Sequence, residues 1–275
     1  MATQREKAER FVALHEREGA FVIPNPWDVG SARLLAGFGF EALATTSAGF
    51  ANSLGRLDGQ VTRDEVLEHC RGLSAATELP VSADLENCFA EDPEGVRETI
   101  LLGARAGLVG GSIEDYGGEP SKGIYDFNLA VERVHAAAEA ARSLDFPFTL
   151  TARAENLIRG RSDLDDTLRR LQAFEAAGAD VLYAPGLKTL DEVRSAAGAL
   201  AKPLNVLAPL LKGVTVAQLA DAGARRISVG GALARAALTA LLRACAEMRE
   251  AGGFAWTSDL VSSDEVKRLL SAQVI

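Results

Sequence analysis

Short apolar runs return along the whole chain, each followed by a longer segment in which Ala and Leu alternate with Glu and Arg at helical spacing. The runs predict strands at Phe21–Pro24, Ala42–Thr45, Val81–Asp84, Gly110–Glu114, Phe148–Ala152, Val181–Tyr183, Leu204–Leu207 and Arg226–Val229. Amphipathic helices are expected between them, for example over Asp92–Ala106, Leu129–Arg142, Leu164–Ala177 and Ala232–Arg249. Several of these close on an Ala-Gly pair (Ala106-Gly107, Ala177-Gly178, Ala222-Gly223), where glycine lets the chain turn left-handed out of the helix. Strands this short and this apolar belong to a parallel sheet covered on both faces.

Eight strand–helix repeats predict an α/β fold, a (β/α)8 TIM barrel. An open doubly wound sheet is the alternative, disfavoured because no GxGxxG follows the first strand. Residues 1–275 read as one barrel domain with 251–275 as a helical tail. An additional helix is expected before the barrel at Thr3–Arg17 and another near Ser263–Ser271, opened by a capping box at Ser262-Ser263-Asp264-Glu265. A tail helix beyond a complete barrel predicts packing on a neighbouring subunit, and so an oligomer.

Composition narrows the function. Hydrophobic residues make up 48% of 275 residues, enough for a large core, and the net charge is −9. An acidic chain without a basic cluster is not built for nucleic acid, whose backbone demands Lys and Arg. Cys70, Cys88 and Cys245 have no CxxC spacing, which speaks against disulfides and a zinc knuckle and for a reducing cytoplasm. The polar N-terminus is not a signal peptide, and no apolar run approaches the roughly 20 residues that span a bilayer. No membrane or nucleic-acid partner is expected.

In barrel enzymes the chemistry sits where strands end. Here the third strand ends in Asp84 and Glu86, the fourth in Glu114 and Asp115, the fifth in Arg153 and Glu155; the seventh carries Asn205. Alternation puts Asp84 and Glu86 on one face of an extended strand and Leu85 on the other. Three carboxylates converging at one mouth take up protons or bind a cation, and all-oxygen ligation suits Mg2+ or Mn2+. Helix capping and ion pairing with Arg153 are the structural alternative. Arg153 suits a substrate carboxylate or phosphoryl group, or an ion pair with Glu155 or Glu114. Thr45, Thr46 and Ser47 offer hydroxyl and N–H donors for an oxyanion, or ordinary turn chemistry. Gly230-Gly231 suits a phosphate or a tight turn.

The histidines, His15, His69 and His135, all fall in helical stretches, so a Ser/His/Asp triad and a histidine-ligated zinc are not expected. No strand carries a lysine for a Schiff base; Lys188, Lys202 and Lys212 lie in loops or helix starts.

Five stretches, in this order and on these strands, form a specific set: Asn25-Pro26-Trp27-Asp28, Thr45 to Gly55, Asp84-Leu85-Glu86-Asn87, Gly111-Ser112-Ile113-Glu114-Asp115 and Thr151-Ala152-Arg153-Ala154-Glu155. On them the chain resembles the isocitrate lyase/phosphoenolpyruvate mutase superfamily from about residue 10 to 250. The resemblance implies a tetrameric barrel, a dimer of dimers, with the C-terminal helix exchanged between neighbours. It implies Mg2+ held mainly at Asp84, with Glu86 and Glu114 near it through water. It implies a small anionic α-keto acid whose enolate the metal chelates, gripped by Arg153 and the Thr45–Ser47 segment. Trp27, Glu155 and Asn205 fall among the substrate-binding positions, and Asp58 matches an aspartate on the mobile loop after the second strand.

The departures bear on the reaction. The lyases' Lys-Lys-Cys-Gly-His motif is absent: the loop reads Tyr116-Gly117-Gly118-Glu119-Pro120-Ser121-Lys122-Gly123-Ile124-Tyr125. Tyr183-Ala184-Pro185-Gly186 lacks the mutases' histidine, and Leu207 and Ala208 replace polar residues that contact tricarboxylates. Cys88 stands where the family has glycine, either as a packed thiol or as a sign of altered specificity. Lyase or decarboxylase chemistry is therefore expected ahead of phosphonomutase-type phosphoryl migration. Tyr116, Lys122 or a metal-held water is the expected acid. A barrel that binds a metabolite without turnover and a metal-free class I aldolase are the other readings.

Overall fold

A computed structural model describes residues 2–271. The chain opens with α1 (Gln4–Glu16), then β1 (Phe21–Ile23), α2 (Val29–Gly37) and β2 (Leu43–Ala44). Two helices follow, α3 (Ser47–Ser53) and α4 (Arg63–Ala76), then β3 (Val81–Asp84), α5 (Pro93–Arg105), β4 (Gly110–Glu114) and α6 (Phe127–Arg142). The second half repeats the unit through β5 (Thr149–Arg153), α7 (Leu164–Ala176), β6 (Val181–Tyr183), α8 (Leu190–Gly198), β7 (Leu204–Leu207), α9 (Val216–Asp221) and β8 (Ala224–Ser228). It ends with α10 (Ala232–Glu250) and α11 (Ser263–Ser271).

The strands form one eight-stranded parallel sheet in the order β1-β8-β7-β6-β5-β4-β3-β2. The Ala44 N–H donates to the Pro24 carbonyl at 3.1 Å and brings the two edges together. The expected (β/α)8 barrel is thus formed. Helix starts follow local chemistry. Thr3 with Glu6, Thr62 with Glu65 and Thr189 with Glu192 are reciprocal capping boxes, each satisfying two N–H groups that the helix leaves free. At α11 the Ser262 hydroxyl accepts the Glu265 N–H at 3.2 Å.

Boundaries differ from the sequence expectation for local reasons. β2 is only two residues because the Thr46 hydroxyl already caps α3 through the Gly49 N–H. β5 runs on to Arg153, whose main chain pairs with Glu114 on one side and Tyr183 on the other. β8 starts earlier, at Ala224, and pairs there with Leu204.

The main core lies between the sheet and its helices, while α1 closes the N-terminal end of the barrel. That plug is Phe11 and Leu14 packed on Phe21, Ile23, Ala42 and Val109. Above it the interior turns polar: Ser82, Ser112, Thr151, Asn205, Arg226 and Ser228 are all buried. Many barrels fill this space with branched apolar side chains; a polar interior leaves donors beneath the strand ends. In this chain α11 packs on α2, where Gly37 has no side chain to block the Leu269 backbone. Among the described residues no helix is long and apolar enough to cross a membrane.

Candidate active site

The ends of β3, β4 and β5 bring Asp84, Glu114 and Arg153 together, because parallel register sets Glu114 beside Arg153 and Asp84 beside Ser112. Arg153 Nη1 meets Asp84 Oδ1 at 2.8 Å; its Nη2 meets Glu114 Oε2 at 3.1 Å and Glu155 Oε1 at 2.8 Å. Both expectations about the carboxylates therefore bear on one cluster: they converge, and Arg153 is the cation already among them. Burial opposes the guanidinium charge, and Glu155, Glu114 and Asp84 overcome it and hold the pKa well above its ordinary value. Burial raises the Glu114 pKa well above the usual carboxylate range, with Glu155 and Asp84 adding to it and Arg153 opposing.

Alternation does not carry Glu86 to the site. β3 ends at Asp84, and Glu86 has φ 51°, outside extended geometry. A left-handed step instead brings it back toward Asp84. Its Oε1 is buried without a partner among the described residues, and burial, with Asp84 and Asp58 nearby, pushes its pKa up to about 7. Arg153 and Arg159 oppose that rise. Asp115, the next residue along from Glu114, faces away from the mouth. It accepts the Glu155 N–H at 2.8 Å and pairs with Arg170 of α7 at 3.0 Å.

Asp84 is held from several sides. Its N–H donates to the Thr45 hydroxyl at 2.9 Å, and the Ser47 N–H donates to its Oδ2 at 3.3 Å. Thr46 spends its hydroxyl on the α3 cap. Asn25 ties β1 to its neighbours, donating to the Thr45 carbonyl at 2.9 Å and accepting from the Val229 and Gly230 N–H groups. The Gly230-Gly231 turn is thereby stitched to the first strand.

Below this layer, Arg226 Nε donates to Asn205 Oδ1 at 2.8 Å and its Nη2 to the Thr151 hydroxyl at 2.9 Å. Burial lowers the Arg226 pKa to about 10, Tyr183 opposing and Arg153 adding to the drop. Asn205 Nδ2 donates to Ser228 Oγ at 3.0 Å.

A cavity of about 270 Å3 opens over this arrangement. Thr45, Thr46, Ser47, Asp58, Asp84, Arg153, Glu155 and Asn205, all expected from the sequence, lie in its wall. Ser112, Arg159, Tyr183 and Arg226 lie there too and were not expected. Ser112 and Arg226 had a signal: one sits two residues before Glu114 on a strand, and the other is a charged residue inside an apolar run. Arg159 had none, since it stands in a loop. A larger cavity, about 500 Å3, opens at the other end of the barrel. Its Arg142 and Asp180 are tied to the Gly178 carbonyl and Leu150 N–H, and none of Asp84, Glu114 and Arg153 lines it, so it is not where the strand-end chemistry gathers.

Five expected residues lie outside the cavity wall, Glu86 among them. Trp27 is half-buried, its N–H donating to Ser31 Oγ. Lys122 pairs with Glu91 at 2.5 Å on the exposed side of the loop after β4. Tyr116 is buried, with the Arg159 guanidinium 3.7 Å from its ring centre. Glu114 lies behind Arg153. Cys88 is buried in the core at φ 58°, and burial pushes its thiol up to about 12. A residue there adopts the left-handed backbone that suits glycine, and the thiol is a packed one.

Among the described residues no three His, Cys, Asp or Glu side chains are already gathered around a common point for a metal. The donor chemistry nevertheless fits a hard divalent ion: oxygen ligands only, an unpartnered buried Glu86 Oε1, and Asp84 Oδ2 engaged by a single long N–H contact. Asp84 and Glu86 are the residues able to hold it.

The sequence matches the family model described as phosphoenolpyruvate phosphomutase over residues 11–249. The chain is 30% identical over 203 residues to 2-methylisocitrate lyase of Escherichia coli, covering 70% of this chain and 67% of that protein. It is 28% identical over 213 residues to the oxaloacetate decarboxylase of Ectopseudomonas mendocina, covering 75% and 71%. A solved Burkholderia cenocepacia structure, provisionally classed as a lyase or mutase, superposes with a TM-score of 0.93 at 56% identity, covering 96% of this chain and 95% of that one.

Proposed function

The chain belongs to the phosphoenolpyruvate phosphomutase family of the isocitrate lyase/phosphoenolpyruvate mutase superfamily, a group of lyases and mutases, and on that premise we propose a Mg2+-dependent carbon–carbon lyase acting beside the carbonyl of a small α-keto acid. The observation that carries the reading is the strand-end cluster of Asp84, Glu114 and Arg153 with the unpartnered Glu86 oxygen beside it. Phosphoryl migration is the weaker choice, because no histidine lines the cavity and Tyr183-Ala184-Pro185-Gly186 follows β6.

In this reading Asp84 and Glu86 hold the metal. When bound, Mg2+ supplies Lewis acidity to the keto oxygen as negative charge develops there. Arg153 fixes Asp84 through Oδ1 and leaves Oδ2 for other work. Thr45, through the Asp84 N–H, sets the end of β3. Glu155, itself 1% exposed, keeps Arg153 from swinging. Asp58, on the link between α3 and α4, faces the cavity from the side where a closing loop would exclude water. Tyr116 is our candidate for delivering a proton, since its ring lies under a cavity-wall arginine whereas Lys122 is engaged by Glu91.

The assembly is proposed as a homotetramer. Leu241, Leu242, Phe254, Leu260 and Val261 of α10 and the tail are exposed apolar side chains that neighbouring copies would cover, and light scattering would test it.

Isothermal titration with Mg2+ and oxalate, an enolpyruvate mimic, is the direct experiment. Wild type should bind and Asp84→Ala should not; unchanged binding in Asp84→Ala would sink the assignment. Turnover assays with oxaloacetate, methylisocitrate and phosphonopyruvate separate the chemistries. Binding without turnover of any would favour a metabolite-binding barrel instead, and turnover of phosphonopyruvate alone would favour the mutase branch.

A further inference from the structure

We propose that Arg159 is the specificity-determining residue of the site, receiving the second anionic group of a diacid substrate; this rests on the keto-acid reading above. Any anion entering an acidic cleft needs a cation that is not already neutralised. Arg153 is not that cation for a second group, because Asp84, Glu114 and Glu155 all lie within 3.1 Å of it and its side chain is 14% exposed. Arg226 is 5% exposed at the floor; it has given Nε to Asn205 and Nη2 to Thr151, and its remaining Nη1, though unpartnered, is closed off from the cavity space by burial. Lys122 is outside the wall.

Arg159 differs on each count. It lines the cavity, its side chain is 40% exposed, and its nearest carboxylates are loose: Glu155 at 3.4 Å and Glu114 at 3.9 Å. Its guanidinium stacks on the Tyr116 ring at 3.7 Å, which fixes its plane and leaves N–H groups at the edges for a carboxylate. A planar fork held in this way suits bidentate recognition.

The segment that carries it is rigid. The Arg159 N–H donates to the Glu155 carbonyl at 3.0 Å, closing one helical turn. Asn156, fully buried, donates to the Asp163 carbonyl and accepts the Thr167 hydroxyl. Gly186 has φ 113°, and a side chain there would strike Leu157 Cβ at 2.7 Å and the Ile158 nitrogen at 2.8 Å. The loop after β6 therefore locks the turn that aims Arg159. Leu207 in the cavity wall and Ala208 after it offer no charge, so the anion receptor comes from the loop after β5 rather than the one after β7.

The test compares two ligands on Mg2+-loaded protein by isothermal titration. Oxalate has no distal group; 3,3-difluorooxaloacetate has one. In Arg159→Met, oxalate affinity should stay within about twofold, while the diacid should weaken between tenfold and a hundredfold, as expected for one lost charge-assisted hydrogen-bond pair. Arg159→Lys, which keeps the charge without the fork, should fall between. Retained oxalate binding also reports that the variants are folded. Diacid affinity unchanged in Arg159→Met, with oxalate binding intact, overturns the Arg159 assignment alone; equal losses for both ligands overturn it as well, since Arg159 would then serve the carboxylate cluster. Wild-type protein binding neither ligand removes the keto-acid reading and this proposal with it.

Discussion

Arg133 offers the sharpest test of how the Glu86 loop is held. It is the largest fully buried side chain, 1% exposed, and has no carboxylate partner among the described residues. Its Nη1 donates to the Ala90 and Glu91 carbonyls at 2.5 and 2.7 Å, and its Nη2 to the Asn87 carbonyl at 2.6 Å. The guanidinium lies 4.1 Å from the Tyr125 ring centre, and the Tyr125 hydroxyl accepts from Asn87 Nδ2. The clamped segment contains three non-glycine residues in left-handed backbone: Glu86 at φ 51°, Cys88 at 58° and Phe89 at 53°. Such residues cost about 1 kcal/mol or more each and persist only where their surroundings impose them. Arg133→Met strands the half-buried Asn87 and Ala90 carbonyls, while that of the exposed Glu91 can turn to water. At about 1–3 kcal/mol per unsatisfied group the gross loss is roughly 2–6 kcal/mol. Release of the left-handed strain returns about 3 kcal/mol of that as the loop relaxes. A net loss of about 1 kcal/mol is expected in urea unfolding, with faster amide exchange confined to residues 86–91. Because Glu86 rides on this loop, Mg2+ affinity should also fall about tenfold, which is about 1.4 kcal/mol. Arg133→Lys should recover little, since one ammonium has no fork to span three carbonyls. A variant that loses stability but keeps wild-type Mg2+ affinity and wild-type exchange at 86–91 would refute the clamp.

Other outcomes can be checked away from the carboxylate cluster. Burial, with Arg226 adding to it, lowers the His15 pKa to about 3, so the folded protein keeps it neutral while the unfolded chain protonates near 6.5. Its contribution is present above pH 6.5 and is lost as pH falls toward 3; at pH 4.5 the loss is about 2.5 kcal/mol. His15→Phe should flatten that part of the stability–pH curve, and a His15 proton titrating near 6.5 by NMR would contradict the reading. Arg170→Met leaves Asp115 buried beside no cation and should destabilise by about 3–5 kcal/mol at pH 8. The penalty should shrink at pH 5, because burial has already pushed Asp115 up to about 6 and protonation removes the stranded charge; an equal loss at both values argues against it. Cys70 and Cys88 are buried with thiols pushed up to about 12, so neither should react with a thiol reagent until the protein unfolds.

The barrel was legible because its signals are local. Each strand is a short apolar run, and each capping box spans four residues, so Thr62 and Glu65 announce α4 without help from the rest of the chain. Asp84, Glu114 and Arg153 were legible for the same reason: strand ends are local, and parallel register then brings them side by side. Glu86 marks where this stops. Period-two reasoning assumes extended backbone, and the backbone turns left-handed at that residue because Arg133, far along the chain on α6, holds the carbonyls just beyond it. The residue converges on Asp84 all the same, by a different geometry from the one alternation gives. Arg159 is the fuller case. Nothing within its own loop distinguishes it from Arg161, which pairs with Asp166 at 3.6 Å away from the cavity. What separates the two is a Tyr116 ring supplied by the loop after β4 and a bare Gly186 supplied by the loop after β6. In a barrel, strand ends set which chemistry is available at the mouth. The choice of substrate is made by contacts between neighbouring loops, and those contacts join residues that no sequence window contains.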